Sequence, residues 1–254
     1  MGKGRPRLAT MNARISSVAR PRRVRERTVF FSGSENADLL RRCQALRYAV
    51  YGHDLGLDTP DLDHVRSLDV EARDDICDFA AVHDDDGDVL GCIRMQPPGR
   101  GSFYAELEFD LLGEAWAIPH VEGARFAVRR SERDGPVPLL LFQAFRRYCR
   151  ERGIDHVLSV AILRGLREDR ARAATLTRFL LERTTFEPSR GRPAPGYELA
   201  PPTREELASA PALSPHEGSP MLRLLANGRT TTCSEPAYCT RFGTFNFMLS
   251  TRLP

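Results

Sequence analysis

The sequence predicts an α/β protein built as a mixed sheet flanked by helices, and three observations lead there. Residues His120 to Arg150 read as a buried strand (Val121 to Val128), a charged loop with one glycine, and an amphipathic helix. In that helix Leu141, Phe142, Phe145, Tyr148 and Cys149 recur at three- and four-residue spacing, while Arg146, Arg147 and Arg150 face away. Upstream, a helical stretch is followed by apolar runs parted by turn residues; downstream, another strand pattern follows Gly153. The succession helix, meander of three or four strands, helix, strand is that of a sheet covered by helices.

Along the chain, TVFFS (28–32) reads as a short strand. A helix is expected from about Asn36 to Tyr51, with Leu39, Cys43, Leu46 and Val50 on one face and Ser34 or Asn36 as its cap. Arg47 stands beside that stripe, so it either points inward at the helix end or covers the rim of the core with its stem. Gly52 to Asp78 is acid-rich, with Asp58, Asp61, Asp63, Asp69, Glu71, Asp74, Asp75 and Asp78. Lacking the spacing of a calcium loop, it is expected to be a solvated loop, or one that holds a substrate amine by charge. Phe79 to His83 and Val89 to Met95 form a hairpin around the Asp-rich turn at Gly87. Arg94, near the end of the second strand, needs a carboxylate if it is buried. Phe103 to Phe109 is expected as a third strand, with Glu106 and Glu108 on one face. His156 to Ile162 follows the helix stop at Gly153, and 168–185 reads as a helix. Residues 186–220 hold eight of the chain's 18 prolines and are expected to be irregular. MLRLLANG then reads as a short helix stopped by Gly228, with TTTC and FNFML as closing strands.

Length and composition frame the function. A chain of 254 residues suits one substantial domain, placed here at 28–254 after an N-terminal arm. Its 41% hydrophobic and 28% charged residues are ordinary for a soluble globular protein, and no window approaches the roughly 18 apolar residues of a membrane span. The basic N-terminus lacks an apolar core, so no secretory signal is expected. The net charge of +3 hides an asymmetry: residues 1–27 hold nine Lys or Arg against Glu26 alone, a net of +8, which leaves −5 for the rest. Such an arm is expected to be disordered, either as a solubilising tail or as a contact for an anionic membrane surface, an acidic protein or nucleic acid, the last least favoured. The six cysteines show no CxxC pair and no metal-ligand spacing with His, which points to a reducing, cytoplasmic setting without zinc or disulfides.

The chemistry concentrates in the 120–150 stretch. Its strand is apolar apart from Glu122 and Arg125, and a charge in a core strand is costly unless paired or used. The following loop, Arg129 to Pro138, presents backbone N–H groups ahead of a helix, a turn suited to a phosphate or a developing oxyanion. Cys149 and Cys92 have no His–Asp partner in recognisable context and read as core residues rather than nucleophiles.

The pieces LRYAVY (46–51), DICDFAAV (75–82), VLGCIRM (89–95), FYAELEFDL (103–111), VEGARFAV (121–128) and LLANGRTTTCSEPAYCTRFGTFNFMLS (224–250) occur in an order that resembles the GNAT acyltransferase superfamily. The resemblance is greatest to its acyl carrier protein-dependent branch, the ornithine N-acyltransferases (hemolysin-like) and autoinducer synthases, and it covers about 37–250. It implies a GNAT-like, mostly antiparallel central sheet with flanking helices. The sequence departs from the ornithine branch at Phe79, where a histidine is usual, and matches poorly over 163–220.

What the resemblance implies is direct transfer of a fatty acyl group from a thioester to an amine, without a covalent enzyme intermediate. Glu122 corresponds to the glutamate that serves as base or amine anchor, the alternative being an ion pair with Arg125 or Arg94. Arg47, Arg94 and Arg125 resemble the arginines that organise the acceptor pocket, the alternative being a purely structural network. Backbone N–H groups at Val128 and Arg129 would meet the thioester carbonyl and pantetheine, and Arg130 and Gly135 resemble the family's pantetheine-binding turn. Arg129, Arg130 and Arg133 would meet the carrier's phosphate or acidic surface. No tightly bound cofactor is implied; the co-substrate is acyl-acyl carrier protein, a phosphopantetheine thioester, or acyl-CoA. The expected product is a lyso-aminolipid or N-acyl amino acid with ornithine as acceptor, made in the cytoplasm or at the inner membrane face. The alternatives are an acyl-homoserine lactone synthase using S-adenosylmethionine and a non-catalytic GNAT-like module that docks through its basic arm.

Overall fold

The computed structural model describes residues 27–214, 217, 222 and 228–254. The basic arm therefore lies outside the described residues except for Arg27, as does nearly all of the expected MLRLLANG helix. Among these residues twelve strands and four α-helices follow in order: β1 Arg27–Ser32, α1 Ala37–Tyr48, β2 Leu62–Asp63, β3 Leu68–Asp69, β4 Asp78–His83, β5 Val89–Gln96, β6 Phe109–Leu111, β7 His120–Val128, α2 Val137–Glu151, β8 His156–Arg164, α3 Arg170–Leu181, β9 Thr185–Pro193, α4 Arg204–Ser209, β10 Thr230–Ser234, β11 Ala237–Cys239 and β12 Thr244–Arg252. Ten of the strands form one sheet in the order β1-β4-β5-β7-β8-β12-β10-β9-β6, with β11 hydrogen-bonded to β12. Among the described residues only β7–β8 and β9–β10 run parallel. This is the mixed, mostly antiparallel sheet that the sequence predicts.

Helices cover both faces. Below β4, β5 and β7, α2 buries Leu141, Phe145 and Cys149 against Ala80, Ile93, Met95 and Val121. On the opposite face α1 sets Cys43, Leu46 and Val50 against Ala81, Cys92 and Ala127. Under β8 and β12, α3 buries Leu176 and Leu180 against Ala161, Leu163, Phe245 and Phe247. Asn36 caps α1 by accepting from Leu39 N–H at 3.0 Å. Close packing of α2 on the sheet needs Gly91, where a Cβ would stand 2.6 Å from Val137 Cγ1 and 2.9 Å from Leu141 Cδ1. Gly91→Ala is thus expected to cost about 1–3 kcal/mol by overpacking, measured as a lower urea midpoint at unchanged slope.

Three expectations are corrected. The stretch 103–109 is not a meander strand: Tyr104–Leu107 is a 3₁₀ turn, and β6 pairs with β9 at the far edge of the sheet. Residues 186–220 are not irregular throughout, since they include most of β9 and all of α4. The helix expected to reach Tyr51 changes after Tyr48 into a π-helical turn, Ala49–Asp54.

Candidate active site

Beside the apolar cluster under α1, the same face of the sheet carries a buried charged network. Arg47, fully buried, donates to both Asp74 carboxylate oxygens at 3.0 and 2.6 Å, to Asp69 C=O at 2.6 Å, and pairs with the Asp69 carboxylate at 2.9 Å. Arg94, 1% exposed, reaches Glu71 at 2.5 Å and Asp74 at 3.3 Å. Arg125 pairs with Asp61 at 2.7 Å, Glu71 at 3.0 Å and Asp69 at 3.5 Å. Gln44 donates to Asp74, and Arg241 joins through Asp61. The acid-rich 52–78 segment is therefore not a solvated loop: Asp69, Glu71 and Asp74 are buried and fix three arginines from three separate elements. Such burial is tolerated only because each charge is paired and hydrogen-bonded.

A β-bulge lets Arg125 join. Cys92 pairs with Ala127 and Arg94 with Ala124, so Ile93 faces two residues of β7, Arg125 and Phe126. Arg125 takes φ +52°, the left-handed region that a branched or long side chain rarely enters. In an unbroken strand Glu122 and Arg125, three apart, would lie on opposite faces. The bulge returns Arg125 to the face of Glu122 and Arg94, while Gly123 faces Phe145 on α2. Its guanidinium then lies over the Tyr104, Phe242 and Tyr51 rings, 5.5, 5.6 and 5.8 Å from their centroids.

Glu122, 2% exposed, stands beside this network without joining it. Its two oxygens accept from the backbone N–H groups of Tyr104 and Ala105 at 2.6 and 2.7 Å, so neither the Arg125 nor the Arg94 ion pair considered from sequence holds it. Burial raises its pKa; the two N–H donors and the charges of Arg94 and Arg73 oppose that rise only in part. Burial likewise pushes Asp69 up. At Glu71 and Asp74 burial pushes up too, but is outweighed, by Arg94 and Arg125 at the first and by Arg47 at the second. The site thus holds Glu71 and Asp74 below the usual carboxylate range and raises Asp69 and Glu122, and of the raised pair Glu122 alone forms no ion pair among the described residues.

Beyond Glu122 the sheet opens. Pairing of β7 with β8 ends at Glu122–Leu158, and β8 continues on β12 as far as Arg164. The π-helical turn spans the mouth: Tyr51 donates to Phe126 C=O at 3.2 Å, and Arg164 donates to Leu55 C=O. Because Arg129 N–H is bonded to Leu90 C=O at 2.8 Å, it does not face a ligand, which corrects its expected role. By the alternation of the antiparallel ladder, Val128 N–H points away from β5, toward the gap. Among the loop side chains, Arg133 donates to Val128 C=O and pairs with Asp54 at 2.5 Å, and Arg129 leans on Val89 C=O. Arg130 is exposed, and Gly135 N–H bonds to Glu132 C=O. Arg129 and Arg130 line a groove of about 430 Å³ with Arg42, Leu46 and Asp88.

The structure brings Arg47, Arg94, Arg125 and Glu122 to one face and sets the 129–135 loop at its rim. Sequence reasoning did not anticipate Tyr104, Arg241 or the individual carboxylates. Cys92 and Cys149 are both buried, and burial pushes Cys149 up to about 12, unsuited to thiolate chemistry.

A buried carboxyl group of raised pKa thus stands where the parallel pair β7–β8 separates. Residues 46–143 match the family model described as an acetyltransferase (GNAT) domain. Over 143 residues, 52% of this chain and 55% of the relative, it is 29% identical to the L-ornithine N(alpha)-acyltransferase of Rhodobacter capsulatus; the chain spans about half the length of that relative. Among solved structures, the AHL synthase LasI has a TM-score of 0.50 at 14% identity, covering 91% of each chain. The CoA-dependent acyl-homoserine lactone synthase BjaI, with SAM and isopentyl-CoA, has a TM-score of 0.48 at 16% identity, covering 89% of this chain and 82% of its own.

Proposed function

We propose that the domain transfers a fatty acyl group from a thioester donor, acyl carrier protein in the first instance, to the α-amine of an amino acid, ornithine above others. One observation carries this reading: Glu122 is buried, held on backbone N–H groups and raised in pKa, on the same face as three fixed arginines. The similarity to an ornithine acyltransferase supports the acceptor. In the proposed reaction Glu122 takes a proton from the acceptor ammonium, directly or through one water. The amine nitrogen bonds to the thioester carbon while Val128 N–H stabilises the oxyanion; the C–S bond then breaks, the nitrogen's second proton passes to the leaving thiolate, and the proton on Glu122 is released to solvent. The basic segment 1–27 would hold the domain at an anionic inner membrane face, where the acylated product partitions.

The test incubates the purified protein with acyl-acyl carrier protein or acyl-CoA and an amine panel, reading thiol release and product mass. Ornithine-dependent thiol release with an acyl-ornithine product is expected, faster from the carrier protein. A homoserine lactone product formed from S-adenosylmethionine would support a second reading, which the similarity of fold to LasI over 91% of each chain favours. Thiol release indifferent to any amine would sink both. In the active system, kcat/KM is expected to fall on the acid side through a pKa above the ordinary carboxyl value of about 4.3, because only ionised Glu122 accepts the proton.

A further inference from the structure

The charged network continues past Arg241 into a second group that the proposed chemistry does not use. Glu108 closes the 3₁₀ turn whose opening N–H groups hold Glu122, and it is 3% exposed. It accepts from Asn246 Nδ2 on β12, and burial raises its pKa, with the Asn246 and Cys239 contacts and the Arg241 charge opposing that rise. Asn246 is also buried, and its Oδ1 has no hydrogen-bond partner. The charges of Arg125, Glu71, Arg241 and Glu108 all act on the Tyr104 phenol, so Tyr104 joins this group to the arginine cluster around Glu122.

The local charges do not balance. Asp61, Asp69, Glu71, Asp74, Glu108 and Glu122 supply six carboxyl groups. Arg47, Arg73, Arg94, Arg125 and Arg241 supply five guanidiniums. With all six ionised the carboxyl groups exceed the guanidiniums by one, and among the described residues Glu108 and Glu122 form no ion pair, so a bound cation would offset the cost of ionising them. Glu108 and the free Asn246 oxygen together offer only acceptors, which suits an ammonium with several N–H donors and not a sulfonium, which has none.

We propose that Glu108 and Asn246 form the subsite for the second, non-reacting ammonium of a diamino acid acceptor. This rests on the amino acid N-acylation reading above, and it assigns to this pair the preference for a cationic side chain.

The experiment is calorimetric binding of ornithine and of norvaline, its analogue without the side-chain amine, to wild type, Glu108→Gln and Asn246→Ser. Wild type is expected to favour ornithine by about 10- to 100-fold, as a charge-assisted hydrogen-bonded contact implies. Glu108→Gln should collapse that ratio by weakening ornithine alone, with norvaline unchanged; Asn246→Ser should lower it in the same direction. Equal affinity for the two ligands in wild type, or a ratio that both variants preserve, overturns the assignment. If Glu108→Gln does not fold, the Asn246→Ser ratio decides. Binding is read without turnover, so a protein that discriminates here yet acylates nothing would refute the proposed reaction and not this subsite.

Discussion

Glu122→Gln is expected to lower kcat/KM for acyl transfer by about 10²–10⁴-fold while the protein remains folded. Glutamine keeps the shape but cannot accept a proton from the acceptor ammonium. The same substitution carries a structural cost that sequence alone does not show. Both Glu122 oxygens accept backbone N–H groups, from Tyr104 and Ala105. Glutamine has one acceptor oxygen, so its NH2 must oppose one of those donors, at a cost of about 1–3 kcal/mol. Against a typical stability of about 5–15 kcal/mol the variant remains native, with a lowered denaturant midpoint. The decisive readout is therefore the pH profile of the residual rate. A catalytic Glu122 takes the acid limb of kcat/KM with it; a merely structural Glu122 leaves the limb in place and lowers the plateau.

The parts of this site that were legible in the sequence are the charges embedded in strong periodic patterns. Glu122, Arg125 and Arg94 interrupt apolar strands, and Arg47 sits next to a helical stripe, so each is conspicuous against its surroundings. Their partners were not, because Asp69, Glu71 and Asp74 lie in a segment with no periodicity that is ordered by ion pairs to α1, β5 and β7. A charge-rich loop looks the same whether water or distant arginines solvate it. The FYAELEF stretch misleads for a related reason. Its alternation favours a strand, yet Glu106 accepts from Phe103 N–H at 2.6 Å and Glu122 captures the next two amides, which closes a 3₁₀ turn. A distant carboxylate there outweighs local propensity. In β9, prolines at 188 and 193 suggested a break, but the strand lies between the short β6 and a parallel partner with a register shift, where missing donors are tolerated. The bulge at Arg125 has no sequence signature, since the left-handed position is held by an arginine rather than a glycine.

The largest effect on stability is expected from Asp74→Asn. Asp74 is the anion shared by Arg47 and Arg94, and it also accepts from Gln44. Asparagine fills the same volume, so no cavity opens; what changes is that two buried guanidiniums lose a common counter-charge. Removing one partner of a buried pair costs about 3–5 kcal/mol, because the remaining charge stays desolvated. For a chain of this size that corresponds to a fall in Tm of roughly 6–20 °C. The sign of the pH dependence separates this cause from loose packing. Asp74 and Glu71 have folded-state pKa values held below the usual carboxylate range. Their stabilisation is therefore complete above the unfolded value of about 4 and is lost as pH falls through the depressed folded value. Asp74→Asn removes one of the two groups, so its melting temperature should decline less steeply than that of wild type under acidification below pH 4. Parallel declines in the two proteins would mean that Asp74 is not an anion the fold depends on. Melting curves at neutral and acid pH, with Asp75→Asn as a control at an exposed neighbour, distinguish the two outcomes. That control should fall within about 0.5 kcal/mol of wild type, since a carboxylate solvated by water has no buried cation to abandon.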